Sequence, residues 1–438
     1  MDQHFPGPDP SPTELIAARP WLRYHAMDGL LLEGVPLHAI ADVAGTPCWV
    51  ISAGTLRARL GQLREALGPD VAIHYAVKAN DHLAVLRLMA AGGAGADVVS
   101  GGELRRALEA GMAPGAIVFS GVGKTADELA LALASGVGQI NAESAEEVEM
   151  IAAAAAATGR RARVALRLNP DVDAGTHAKI TTGRADNKFG IALADAPALY
   201  ARAAALPGVV PVGLAVHIGS QVMGAAPFRA AFSRVAEMVG ALREQGHRLE
   251  GVDCGGGIGI AYGCETAPSP AAFAGAIRAT LGGLGLRLAV EPGRWLAGPA
   301  GLLLASVVVT KRTAGRRFVV LDAAMNDLLR PALYEAWHGI VPVSAVDAVA
   351  PGEAADVVGP VCETGDTFAR GRPMPPLGAG SRLAILDAGA YGSVMSSTYN
   401  ARPLAAQVMV DGARWAVIRA RQPVETLWAG ESVPDWLG

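Results

Sequence analysis

The sequence predicts a TIM-type (β/α)8 barrel joined to a second, mainly β domain. Three observations lead there. The 438 residues, 51% of them hydrophobic, are enough for one large core and one smaller core. Short β-branched runs alternate with Ala/Leu/Arg/Glu stretches through the middle of the chain, and after Arg294 this alternation gives way to strands separated by turns. The barrel strands are expected, in order, in "AIHYAVKAN", "GADVVSGG", "AIVFSGVG", "GQINAES", "RVALRLNPD", "VGLAVHIGSQ", "LEGVDCGGGIG" and "LRLAVEPGRW". Eight βα units in about 250 residues is the size and count of such a barrel.

Between the strands, "GELRRALEAGM" and "AAFSRVAEMVGALREQG" carry apolar residues at helical spacing, and "IAAAAAATGRRAR" reads as a helix stopped by glycine. The barrel is assigned to residues 46–297 and the β domain to 298–438, with strands in "LLLASVVVTKR", "RFVVLDAAMND", "GSRLAILDAGAYG", "AAQVMVDG" and "RWAVIRARQ". Residues 1–45 form an N-terminal segment; its "GLLLEGVPL" has the same strand character and is expected to join the β domain by pairing with its sheet.

The formal charge is −4, from 37 basic and 41 acidic residues, with no basic stripe or zinc-finger spacing, which predicts a small-molecule protein that binds no nucleic acid. Cys48, Cys254, Cys264 and Cys362 lie far apart without CxxC spacing, the pattern of reduced thiols rather than of disulfides or a metal site. The start "MDQHFPGPDPSPTELIAARP" lacks the basic end and apolar core of a signal peptide, and tracts such as "GLLLASVVVT" fall short of the roughly 20 residues that span a membrane. The expectation is a soluble, cytoplasmic protein.

Catalytic groups of such barrels gather at the carboxyl ends of the strands. Lys78 ends the first. A lone lysine there reads first as a solvated tip, but in an apolar strand desolvation can leave the free amine that reacts with an aldehyde. Gly255, Gly256 and Gly257 follow the seventh strand, where barrel loops commonly bind phosphate and glycines let amide N–H groups approach an anion. Together, lysine and cradle point to pyridoxal 5'-phosphate. Glu291 and Arg294, after the eighth strand, read either as a salt bridge or with Glu291 on the cofactor's pyridine nitrogen. His217, ending the sixth, is either a satisfied polar residue or a ring that stacks on the cofactor.

In order along nearly the whole chain, "HYAVKAN", "ADVVSGGEL", "NKFGI", "VHIGSQ", "DCGGGIGI", "EPGR", "RPALY", "CETGD" and "GAYG" closely resemble the diaminopimelate decarboxylase family. The resemblance implies a pyridoxal-phosphate enzyme of alanine racemase-like fold acting as a head-to-tail homodimer with shared active sites. It makes Lys78 the Schiff-base lysine and His217 the stacking residue. Ser220 and Gly255–Gly257 form the phosphate cup, Glu291 meets the ring nitrogen, and Pro292, Gly293, Arg294 and Tyr391 complete the cofactor site. Arg294, Arg330, Tyr334, Glu363 and Tyr391 become substrate contacts and Cys362 a catalytic cysteine; on its own, Cys362 reads as a small buried residue.

By the same resemblance the substrate is meso-2,6-diaminopimelate, decarboxylated at its D-configured centre to L-lysine and CO2. Arginines suit its distal carboxylate and Glu363 its distal ammonium, a pairing that a lysine or ornithine decarboxylase has no use for. Three alternatives remain at this stage. They are a related decarboxylase of a modified or carrier-bound amino acid, an amino-acid racemase, in which the resemblance implies an arginine where this chain has Glu291, and a non-catalytic cofactor carrier, which the β domain disfavours.

Overall fold

The computed structural model describes residues 9–175, 177, 179, 182–183 and 187–437. The chain forms two units, one of residues 56–260 and 266–297, the other of the residues up to 55, 261–265 and those from 298 on.

The first unit is the barrel. Its strands are β1 (Val71–Ala76), β2 (Gly95–Val98), β3 (Ile117–Phe119), β4 (Gln139–Ala142), β5 (Ala162–Asn169), β6 (Val209–Val216), β7 (Gly251–Asp253) and β8 (Arg287–Val290), one inside each run picked out in the sequence. All neighbours pair in parallel, and pairing of β4 with β5 and of β8 with β1 closes the ring. A short strand, Ile191–Ala192, adds to the end of β5. The runs are mostly apolar because both faces are covered, and every residue of β2 and β3 is buried, Asp97 included.

Helices start where a side-chain oxygen can satisfy the first free amides. Ser100, Thr125, Ser144 and Ser269 cap the helices Gly101–Glu109, Ala126–Ser135, Ala145–Thr158 and Pro270–Leu281. The alanine-rich helix Ala145–Thr158 ends at Gly159, which takes the left-handed conformation (φ 63°). On the outside of β6 and β7, Phe228 and Phe232 of the helix Ala225–Glu244 pack against Phe273 of the next helix, with Phe228 and Phe273 edge to face at 4.8 Å. Such a pair contributes about 0.5–1.5 kcal/mol beyond its buried area.

The second unit is built around the 13-residue strand Gly301–Thr313. It pairs antiparallel with Arg316–Leu321, with Arg382–Ile385 and with Cys48–Ser52. Cys48–Ser52 in turn pairs in parallel with Ala406–Asp411, so it is an internal strand of this sheet. The sequence reading started the barrel at residue 46; the ladder instead gives Cys48–Ser52 to the β unit, and the barrel's first strand begins at Val71. Nothing in "CWVIS", buried along its whole length, distinguishes a strand of one core from a strand of another.

"GLLLEGVPL" also differs from expectation. Gly29–Leu32 pairs with Leu22–His25 and Val35–Pro36 in a separate three-stranded sheet, and so it joins the β unit through its core rather than its ladder. Leu30 and Leu32 share one hydrophobic cluster with Cys48, Val50, Leu302, Leu304, Leu386 and Val408. Glu33 seals the junction by accepting from Ser52 Oγ and from the amides of Gly54 and Gly412. No helix among the described residues is long and apolar enough to cross a membrane.

Candidate active site at the carboxyl ends of the barrel strands

Lys78 follows β1 in a 3-10 turn, Val77–Ala79. It is not in an apolar setting, as the sequence reading had it: its ammonium meets Asp97 Oδ2 of β2 at 2.7 Å. Asp97 is wholly buried, and its other oxygen has no hydrogen-bond partner. Glu103, one turn into the helix after β2, accepts from the Val99 amide at 2.8 Å; burial pushes its carboxyl up to about 7 against the pull of that amide and of Lys78.

Glu291 directly follows β8 and is 7% exposed. Its Oε1 accepts from Ser120 Oγ, after β3, and from Asn141 Nδ2 of β4, each at 3.3 Å. Burial raises its pKa well above the usual carboxylate range, and Asp253 and Asp97 raise it further, while Lys78 opposes them. Asp253, the last residue of β7, accepts from the Gly255 amide at 2.9 Å through Oδ1, and its side chain also meets the Glu291 carboxyl, a contact that adds to the rise in the Glu291 pKa.

The glycine turn after β7 is imposed by backbone crowding. A Cβ on Gly255 would stand 2.2 Å from Val216 O, on Gly256 2.0 Å from Glu291 O, and on Gly257 2.3 Å from Gly219 O, and Gly257 also has φ +98°. Gly256 N–H donates to His217 Nδ1 at 3.2 Å, so that nitrogen carries no proton. This agrees with the lowered pKa of His217, caused by burial and then by Arg167 and Lys78. Arg294, 6% exposed, begins the short helix Arg294–Ala297 and donates from Nε and Nη2 to Ser220 Oγ at 3.3 and 3.0 Å. Pro292 and Gly293 carry the chain between Glu291 and that helix, and Pro292 O accepts from Ala76 of β1 at 3.1 Å. The barrel thus brings Lys78, His217, Ser220, Gly255–Gly257, Glu291 and Arg294 to one end.

The remaining sequence-selected residues belong to the β unit. Arg330, 5% exposed, starts the helix Arg330–Tyr334; its guanidinium lies 4.7 Å from the Tyr262 ring and meets His338 Nε2 at 2.9 Å. Tyr334 ends that helix half-buried. Cys362 is exposed rather than packed as a small hydrophobe, and its amide donates to Asn400 Oδ1 at 3.0 Å. The neighbouring Glu363 carboxylate raises the pKa of Tyr399 by charge and hydrogen bonding. Tyr391 is half-buried with φ +55°.

Sequence reasoning passed over Asp97, Ser120, Asn141, Asp253 and Glu103. The one available signal was a polar residue inside a short apolar run, as in "GADVV" and "GQINA". Among the described residues no group of acidic, cysteine and histidine side chains has the arrangement of a metal site. Chemically, the carboxyls of Asp97, Asp253 and Glu291 are gathered near one ammonium, that of Lys78, which pairs with Asp97. That setting suits a ligand with a proton-bearing ring nitrogen, and the glycine turn beside Ser220 suits an anion.

The comparisons agree with this chemistry. Residues 53–298 match the family model described as the pyridoxal binding domain of pyridoxal-dependent decarboxylases. A diaminopimelate decarboxylase of Zymomonas mobilis is 49% identical over 415 residues, covering 93% of this chain and 98% of that one. Among solved structures, the Helicobacter pylori diaminopimelate decarboxylase complexed with L-lysine superposes with a TM-score of 0.86 at 38% identity, covering 90% of this chain and 98% of the other. That of M. jannaschii in co-complex with L-lysine gives 0.90 at 35% identity, covering 96% and 99%. With its closed barrel, its β unit and a family match across the whole barrel, the chain belongs to the diaminopimelate decarboxylase family of pyridoxal-dependent carboxy-lyases.

Proposed function

We propose that this protein removes one carboxylate from meso-2,6-diaminopimelate to give L-lysine and CO2, the last step in making lysine. The observation that carries the reading is the buried Glu291 after β8, held by Ser120 and Asn141 at the same end of the barrel as Lys78 and the Gly255–Gly257 turn. In this reading Lys78 would carry the cofactor, the amides of Gly255–Gly257 with Ser220 would hold its phosphate, and Tyr391 would complete the site. Bound pyridoxal phosphate supplies an electron sink for the pair left when CO2 departs.

The chain's own groups set the conditions. With the cofactor bound, Glu291 would share a proton with the ring nitrogen, in a setting where burial and the carboxyls of Asp253 and Asp97 favour its protonated form. His217, held neutral at Nδ1 by the Gly256 amide, offers a flat uncharged face. Cys362 or Lys78 delivers the proton that replaces CO2, a general-acid step. Arg294, Arg330 and Tyr334 hold the substrate's distal carboxylate and Glu363 its distal ammonium, which accounts for a preference over lysine or ornithine. L-lysine bound in two solved relatives supports this end of the reading.

The protein is further proposed to act in the cytoplasm as a homodimer in which Cys362 and Glu363 serve the partner's barrel; the exposure of Cys362 supports this. Incubating the purified protein and cofactor with the meso and LL isomers of diaminopimelate, then measuring lysine and CO2, tests the activity. Release from the meso isomer alone is expected. Equal turnover of both isomers, or of neither, overturns the reading.

A further inference from the structure

One ammonium ties together two strand ends beside Glu291. Lys124, whose side chain is 1% exposed, donates to Gly121 O at 2.7 Å, to Asn141 O at 2.8 Å and to Glu147 Oε1 at 2.5 Å. The loop after β3 is thereby fixed to β4. Asn141, 1% exposed, has its amide oriented by Gln139, whose Nε2 donates to Asn141 Oδ1 at 2.8 Å. Nδ2 consequently faces the other way, donating to Ser120 Oγ at 3.1 Å and to Glu291 Oε1 at 3.3 Å. Ser120, 5% exposed, donates a hydrogen bond from its hydroxyl to the same Oε1 at 3.3 Å.

We infer that Asn141, working with Ser120, is a positioning residue for the reaction, holding Glu291 by Oε1 so that its carboxyl is presented to the cofactor's ring nitrogen. The inference rests on the role proposed above for Glu291. The residue type fits the task. A lysine or arginine here would pair with Glu291 and compete with the ring, and a further carboxylate would add to the repulsion already exerted by Asp253 and Asp97. An amide supplies a directed donor with no net charge.

The test uses Asn141→Leu, close in volume and without a donor, and Asn141→Asp, which keeps the oxygen that Gln139 meets and replaces the donor by an acceptor. In cofactor-free protein, at a pH low enough to protonate Glu291, the infrared C=O stretch of its carboxyl is the band that Glu291→Gln removes. Loss of the donor at Oε1 is expected to move that band to higher wavenumber in Asn141→Leu. In the loaded enzyme, kcat is expected to fall about tenfold in Asn141→Leu and further in Asn141→Asp, with KM for diaminopimelate unchanged. In a Glu291→Gln background the Asn141→Leu change is expected to cost no more than about twofold, because the two residues act as a unit. An unmoved band, or kcat at the wild-type level in both variants, overturns the inference. If Glu291→Gln itself leaves kcat intact, the role of Glu291 falls first; if only the Asn141 variants are silent, that role stands and Asn141 loses its own.

Discussion

Glu291 and Lys78 were legible as chemistry because each puts a charge at the end of an otherwise apolar strand. Asp97, Ser120 and Asn141 were not, because a single polar residue in a strand names no partner, and the partner of Asn141 lies far along the chain. Glu291→Gln keeps the volume and removes the proton-sharing carboxyl. Its kcat is expected to drop roughly 30- to 150-fold, the loss from one charge-assisted bond of about 2–3 kcal/mol. Borohydride reduction followed by peptide mapping is expected to fix the cofactor on Lys78, and label elsewhere would move that role to another lysine. Glu103 gives a pH test. Its folded pKa, about 7, lies above its ordinary 4.5, so the stability it contributes is complete below pH 4.5 and is lost as pH rises through 7. Denaturant titrations of cofactor-free protein from pH 5 to 8 are expected to show wild type losing about 3 kcal/mol relative to Glu103→Gln. Parallel curves for the two proteins would show that the carboxyl is not desolvated as described.

Among the elements, all eight barrel strands could be found from sequence because each is an apolar run closed by a Gly, Asn or Ser turn. Five strands of the β unit, Leu22–His25, Cys48–Ser52, Ile340–Pro342, Glu353–Val358 and Thr367–Met374, were not named from the sequence. "TFARGRPM" alternates weakly, with glycine and proline inside it, and Glu353–Val358 begins with exposed residues. The glycine turn after β7 makes the sharpest prediction for an element. Gly256→Ala puts a methyl 2.0 Å from Glu291 O, so the turn must shift. The expected cost is about 1–3 kcal/mol of stability. Calorimetry is expected to show a lowered Tm, and equilibrium dialysis a cofactor affinity weakened more than tenfold, about 1.4 kcal/mol. Retained affinity would mean that the phosphate does not rest on this turn.

For the whole molecule, the proposed dimer makes Lys78 and Cys362 of different chains serve one site. Lys78→Ala and Cys362→Ala homodimers are then nearly inactive. An equal mixture after subunit exchange is expected to recover roughly a quarter of wild-type activity, since half the dimers are mixed and each has one intact site. If exchange is verified with differently tagged chains and no activity returns, the two residues serve the same chain and the shared site is wrong. The two-domain division was legible in the change of rhythm after Arg294. The membership of Cys48–Ser52 was not, because strand pairing across the length of a barrel leaves no local mark.

That strand also imposes an order in time. Cys48–Ser52 leaves the ribosome roughly 250 residues before its neighbour Gly301–Thr313 and roughly 350 residues before its other neighbour, Ala406–Asp411. The barrel's strands are all made in between and can close while translation continues, whereas Cys48–Ser52 waits with both edges bare until Gly301–Thr313 is made. The nascent chain therefore carries an adhesive early segment across the whole synthesis of its partner domain. A slowed ribosome late in the message lengthens that exposure, and a trimmed N-terminus removes a strand from the middle of the last sheet to form.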